Sequence, residues 1–313
     1  MTIQDTTHHR LDPAPGTTVD VFTAERDPVL TVDPGDTLVV RSLDASGYLE
    51  PQTTPGEKQP TMFTQSRGHC LTGPIAVRGA EPGDLLAVRL VSLTPDPWGW
   101  TVAGALKSPI TERLGITGQP PAWLLWDLDA EAGTGTCNGG FTRALAPFLG
   151  VIGVAPQATG EYSTIPPRAV GGGNIDCREL VAGSTLYLPV AVAEAMLSLG
   201  DGHAAQGDGE VGGTAIECPM TTTLTVDLVR EEPPLRSIHA VTPVGRITFG
   251  FDPDLDVAMG DALDAMVCWL EVILDVDKST ALALASTAVD LRITQVANQT
   301  WGVHAVLPTG VLA

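Results

Sequence analysis

The chain has 313 residues, 43% of them apolar and only 17% charged, which is enough apolar material for a sizeable core and argues against global disorder. Its 37 acids against 17 bases leave a net charge of −20, which repels phosphate backbones and anionic lipid surfaces, so neither nucleic acid nor a membrane is an expected partner. The five cysteines fall at irregular spacing, make no disulfide framework and fit a reducing, cytoplasmic setting.

Residues 1–20 contain no apolar run and read as a flexible tail in which His8 and His9 are solvated. From there 34 glycines and 25 prolines recur between short Val/Leu/Thr-rich runs, the punctuation of many strands joined by tight turns. VDPGDTLVV from Val32 is echoed by AEPGDLLAV from Ala80 and, more loosely, by VAGSTLYLPV from Val181. Each sets a turn former before an alternating strand, with glycine where a type II turn needs positive φ. These features predict a mainly β body over 21–235, with a soft boundary at EEPPLR (231–236). Over 236–313 a small α/β layer follows. Its first helix runs from Gly260 with Leu263, Met266, Val267, Leu270 and Ile273 inward, and its second opens at Ser279 as N-cap. LRITQVANQ and VHAVLP then return to strand. The fold class is α+β, and no apolar run reaches the roughly 20 residues of a membrane span.

Between Arg178 and Arg230 lie 51 residues without Lys or Arg but with seven acids, four of them (Asp201, Asp208, Glu210, Glu217) in or just after the glycine-rich turn that also holds His203. Carboxylates gathered without counter-charge must raise their pKa, pair with distant cations or hold a metal. Asp201, His203, Glu210 and Glu217 are a mixed N/O ligand set, with a solvated loop as the alternative. An EF-hand is excluded, because its ligand and glycine positions after Asp201 hold Ala205 and Gln206. In IPPRAVGGGNIDCREL, three glycines let backbone N–H groups approach an oxyanion, or else form a turn before a strand. Cys177 reads as a small packing residue, and His239 and His304 as core or rim residues. His69 reads as a further ligand or proton shuttle. Trp98, Trp100, Trp123 and Trp126 read as core or subunit contacts ahead of a pocket wall.

HCLTGPIAVRGAEPGD from His69, PFLGVIGVAP from Pro147, IPPRAVGGGNIDCREL from Ile165 and GDGHAAQGDGEVGGTAIE (Gly200 to Glu217) together resemble the acetamidase/formamidase family, in order from about Asp33 to Glu232. The C-terminal 80 residues match more weakly. GGGNID departs from the family pattern, where two glycines and a methionine are expected. The resemblance implies hydrolysis of a short, neutral linear amide to carboxylate and ammonia, by a cytoplasmic homo-oligomer (dimer or tetramer) with a β-sandwich-like body. The residues agree on one point. The three lysines, Lys58, Lys107 and Lys278, lie in no glycine/serine-rich motif, so neither the Ser–Ser–Lys nor the Glu–Lys–Cys amidase machinery is present. Water must be activated otherwise.

The expected arrangement is a divalent cation, zinc before calcium, on Asp201, His203 and Glu217 joined by Asp44, which lowers the pKa of its bound water. Glu210 or Asp176 takes and returns the proton, and backbone N–H groups around Gly172, Gly173 and Asn174 stabilise the oxyanion. The rival readings are a non-catalytic β-sandwich binding protein with a structural cation site, and a hydrolase of carbamates or urea-like amides.

Overall fold

Two antiparallel sheets face each other across one apolar core. The computed structural model describes residues 7–312 apart from 106 and 232, so residues 1–6 of the expected tail and Glu232 of the expected boundary lie outside the described residues. The larger sheet has nine strands. His8–Leu11 forms one edge, followed by Thr37–Ser42, Met220–Val229, Leu85–Pro95, Thr185–Pro189, His239–Thr242, Gly245–Asp252, Trp301–Pro308 and Asp290–Gln295. The smaller, six-stranded sheet runs Gly172–Asn174, Phe148–Gly153, Leu197–His203, Leu71–Val77 and Thr18–Val19, with Leu30–Val32 added alongside Leu71–Val77. Alternate residues of the larger sheet (Leu38, Val40, Leu86, Val88, Leu224, Val226) meet Ile75, Val77, Leu149, Ile152, Leu197 and Leu199 of the smaller in a single buried cluster. A four-stranded sheet (Thr142–Ala144, Thr134–Cys137, Ala122–Asp129, Trp98–Ala103) flanks this sandwich.

The three echoed turns share one geometry. The N–H of Asp36, Asp84 and Ser184 donates to the carbonyl three residues back, with Gly35, Gly83 and Gly183 at φ of 94°, 100° and 93°. The strands they launch all enter the nine-stranded sheet, two of them flanking Met220–Val229 and the third pairing with Leu85–Pro95.

Four expectations change, at the tail, the C-terminal strands and both helix starts. His8–Leu11 is a strand, parallel to Thr37–Ser42, and His9 Nε2 lies 2.8 Å from Asp36 Oδ2, so the tail is ordered from there. The C-terminal strands extend the body's own sheet, because Thr185–Pro189 pairs directly with His239–Thr242; only the helices form an added layer. The first helix spans Leu255–Leu274 and buries Ala258, Ala262, Met266, Val267, Trp269 and Leu270, while Ile273 is exposed. Its earlier turn was illegible because its buried contacts are alanines, seated where Gly250 lets the helix backbone come close: a Cβ there would lie 1.9 Å from the Ala258 carbonyl oxygen. The second helix, Lys278–Ala288, is capped by Asp277, which accepts from the N–H groups of Ser279 and Thr280; Ser279 is therefore inside it.

Candidate active site

The strand Leu197–His203 lies between two neighbours, is buried along its whole length and carries Asp201 and His203 at its end. Glu217 bridges to His203 on one side. On the other it exchanges backbone hydrogen bonds with Trp100, at 2.8 and 2.9 Å. Asp176 follows Gly172–Asn174, its N–H bonded to the Gly150 carbonyl. The space these side chains share exists because Gly150 has none. A Cβ there would lie 2.5 Å from Asp201 Oδ2, 2.6 Å from Asp176 Oδ1 and 2.9 Å from the His203 ring. Asp176, Asp201 and Glu210 hold φ of 53°, 58° and 41°, in the left-handed region that residues with a Cβ seldom adopt. Backbone strain is thus concentrated on three of the clustered carboxylates.

Nε2 of His203 lies 3.5 Å from Asp201 Oδ1 and 3.3 Å from Glu217 Oε2. All three atoms are buried and without a hydrogen-bond partner. Their partners explain the orientation. Gln206 donates through Nε2 to the Asp176 carbonyl, which turns its Oε1 toward His203 Nδ1 at 2.9 Å. Nδ1 facing the Gln206 carbonyl oxygen then carries a proton, and Nε2 faces two carboxylate oxygens. Glu217 Oε1 accepts from the Ala215 N–H, which leaves Oε2 for the cluster. Asp201, His203 and Glu217 each offer one ligand atom within 4.8 Å of the others, a set that could hold a cation. The edges match a tetrahedral zinc site, whose N/O ligand atoms, about 2.0 Å from the ion, stand about 3.3 Å apart. Asp176 and Glu210 close the other side of His203, all three offering ligand atoms within 4.8 Å of one another.

The electrostatics follow from burial. Desolvation alone would raise Asp201, but His69 and His203 outweigh it and hold its carboxyl below the ordinary range. Desolvation opposes the charge on His203, yet Glu217 and Asp201 push it well up. Burial raises Glu217, His203 only tempering it. Asp176 and Glu210 are driven well above their ordinary range by burial, eased by His203 and reinforced by the neighbouring acids. Burial thus favours the protonated form of this pair, while Asp201 favours the ionised one. Burial raises Asp44 to about 7, with Glu217 adding to the effect.

The structure brings together Asp176, Asp201, His203, Glu210 and Glu217. Asp44 is buried and feels Glu217, but belongs to none of the ligand groups of three found among the described residues; its Oδ1 accepts from the Tyr48 N–H. Gly172, Gly173 and Asn174 form a buried strand with different neighbours. A side chain at Gly172 would strike Leu188 and the Ile152 carbonyl, one at Gly173 would approach Phe22, and Asn174 donates to the Ile165 carbonyl. Trp98, Trp100 and Trp126 line a cleft of about 490 Å³, and Trp100 and Trp126 are also buried, Trp126 within the main core, in keeping with the core reading. Sequence reasoning assigned no role to Gly150 or Gln206. Both lie within quoted motifs, but their work is done through space.

The family's sequence profile for acetamidase/formamidase matches residues 18–161 and 157–312. The chain belongs to the acetamidase/formamidase family. A curated acetamidase from Mycolicibacterium smegmatis is 29% identical over 52% of this chain and 54% of its own length. A formamidase from Methylophilus methylotrophus is 27% identical over 65% of this chain and 62% of its own. The chain thus spans less than two thirds of these curated relatives. The crystal structure of an acetamidase from Bacillus halodurans superposes with a TM-score of 0.83 at 28% identity, over 96% of this chain and 97% of that one. Membership covers the last 80 residues, where the motifs were weak. No helix among the described residues is long and apolar enough to cross a membrane.

Proposed function

We propose that this acetamidase/formamidase family member hydrolyses a short, uncharged linear amide to carboxylate and ammonia, using a divalent cation, zinc before calcium, held by Asp201, His203 and Glu217. The observation that carries the reading is the convergence of three buried, partnerless acceptor atoms on one point. Bound there, such a cation supplies Lewis acidity that lowers the pKa of water and polarises a carbonyl. Gln206 keeps the imidazole in the tautomer that presents Nε2. Asp176 and Glu210, whose shared environment favours one proton between them, accept the proton from attacking water and deliver it to the amide nitrogen as the C–O bond forms and the C–N bond breaks. The near-complete burial of the cluster supports a small substrate. The packing of Gly172, Gly173 and Asn174 gives the oxyanion assignment no support, and polarisation by the cation takes its place in this reading.

A reducing, cytoplasmic setting is supported by the five unpaired cysteines. A homo-oligomer is supported by Leu291 and Ile293, exposed on the outermost strand of the nine-stranded sheet. The test is ammonia release from formamide, acetamide and propionamide, with ureas and carbamates in the same panel, before and after chelation. Release that falls with chelation and returns with zinc is expected. Full turnover in metal-free protein overturns the cation's role, and no release from any amide overturns the hydrolase reading in favour of a binding protein.

A further inference from the structure

A second group of metal-ligating side chains lies beyond the Asp176 backbone. Cys177, Glu179 and His304 are all buried, and each offers a ligand atom within 4.8 Å of the others. His304 comes from the strand Trp301–Pro308 of the nine-stranded sheet, while Cys177 and Glu179 follow Gly172–Asn174 of the six-stranded sheet, so the group joins the two layers of the sandwich.

Each side chain is already oriented by an outer partner. His304 Nδ1 lies 2.7 Å from Thr294 Oγ1, and Arg292 donates to Glu179 Oε1 at 2.8 Å. Both leave the inner atoms facing one another, where the Cys177 thiol donates to Glu179 Oε2, a bond that a bound ion would replace. His304 Nε2, on a residue with no exposed surface, has no hydrogen-bond partner although Glu179 Oε2 lies 3.4 Å away. Cys177 Sγ lies 3.3 Å from that same oxygen. A tetrahedral zinc ion bound by S at about 2.3 Å and by N and O at about 2.0 Å has S···O and N···O edges of about 3.5 and 3.3 Å. The observed separations, 3.3 and 3.4 Å, are close to those edges before any adjustment. One thiolate and one carboxylate balance a divalent ion, and Arg292 stays on the far carboxylate oxygen.

We infer that Cys177 Sγ, Glu179 Oε2 and His304 Nε2 form a second, zinc-type site, structural in role, that staples the C-terminal hairpin to the loop carrying Asp176. The sulfur donor selects a borderline-soft ion over calcium or magnesium. The hairpin already meets the acidic loop through the Gly209 N–H bonded to the Thr294 carbonyl and the Val296 N–H bonded to that of Gly209. The ion would add a second tie between this hairpin and the segment that follows Gly172–Asn174. Three protein ligands leave one position of a tetrahedral ion to be filled, and the structural role is argued from the group's place between the two sheets.

The test exchanges cobalt(II) into the full-length protein and reads the near-ultraviolet thiolate-to-cobalt charge-transfer band. The catalytic ligand set contains no sulfur, so this band reports the second site alone. The band is expected in the native chain and in Asp201→Asn, and is expected to vanish in Cys177→Ser. A band missing from the native chain, or surviving in Cys177→Ser, overturns the proposal. Should the fold refuse Cys177→Ser, crystals of the native chain grown with zinc supply a second reading. An anomalous peak at the zinc edge is expected among the three atoms, and its absence there overturns the site whatever lies at His203. Failure of the Asp201, His203 and Glu217 reading would leave both measurements unchanged.

Discussion

The His203 and His304 clusters are built from the same chemistry and differ in compensation. In each, a buried imidazole has its Nδ1 held by an outer polar side chain, Gln206 or Thr294, and its Nε2 turned toward a carboxylate 3.3 or 3.4 Å away. At His203 four carboxylates crowd around the ring with no arginine among them, and the charge on the ring is driven up. At His304 the single carboxylate is shared with Arg292, and burial, only partly offset by Glu179, pushes the imidazole down to about 4. Burial alone therefore does not set the charge of a histidine; the number of uncompensated carboxylates around it does. The first arrangement leaves more uncompensated negative charge for a cation to balance than the second, which is the contrast expected between the proposed reactive centre and the proposed structural staple.

The largest effect that can break the comparison is expected from His203→Ala, which should remove the reactive cation and lower ammonia release by a factor of at least about 100, with the circular dichroism spectrum retained. Unchanged turnover would remove His203 from the chemistry. Gly150→Ala puts a methyl group against three site groups and should lower activity by about tenfold or more while costing about 1–3 kcal/mol in thermal or urea denaturation. Its effect on activity, with no change at Cys177, would show that the two clusters are independent. Gln206→Ala removes the tautomer control and the hydrogen bond to the Asp176 carbonyl. Cation affinity should fall by roughly 10–100-fold, as read by competition with a chelator, with a stability loss of about 1–3 kcal/mol.

The smallest effect concerns pH. In the metal-free protein His304 is held neutral in the fold at about 4 while the unfolded chain binds a proton near the ordinary 6.5. The unfolded state therefore gains protons first as pH falls, so the associated stability is intact above about 6.5 and is eroded between there and about 4, by at most on the order of 3 kcal/mol. Urea midpoints at pH 7 and pH 5, compared between the native chain and His304→Gln, check it. The variant should lose less stability on acidification, and parallel losses would show that His304 does not titrate as described.

The particular elements show where legibility ended. The three proline- or glycine-led turns, the Met266–Leu270 face and the acid-rich stretch free of basic residues were legible, because turn chemistry, helical period and charge bias are properties of neighbouring residues. The helix start at Leu255 was not, since its anchors are alanines whose burial depends on Gly250, in another element. The gathering of Asp176 with Asp201, His203, Glu210 and Glu217 was only half legible. Local composition supplied the acids, but strand pairing between Phe148–Gly153 and its two neighbours decided which would meet.

What the sequence determined by itself was therefore a supply: many strands, turns at fixed points, an unneutralised run of carboxylates and one imidazole among them. Tertiary structure alone decided that Gly150 clears the space they share, that Gln206 aims the ring, that Asp44 stands beside the group and not in it, and that Cys177 and His304, 127 positions apart in the chain, become neighbours. The physical reason is that charge and turn propensity act over a few residues of chain. Desolvation and metal-ligand convergence act over a few ångströms of space, and only the pairing of strands distant in sequence turns one into the other.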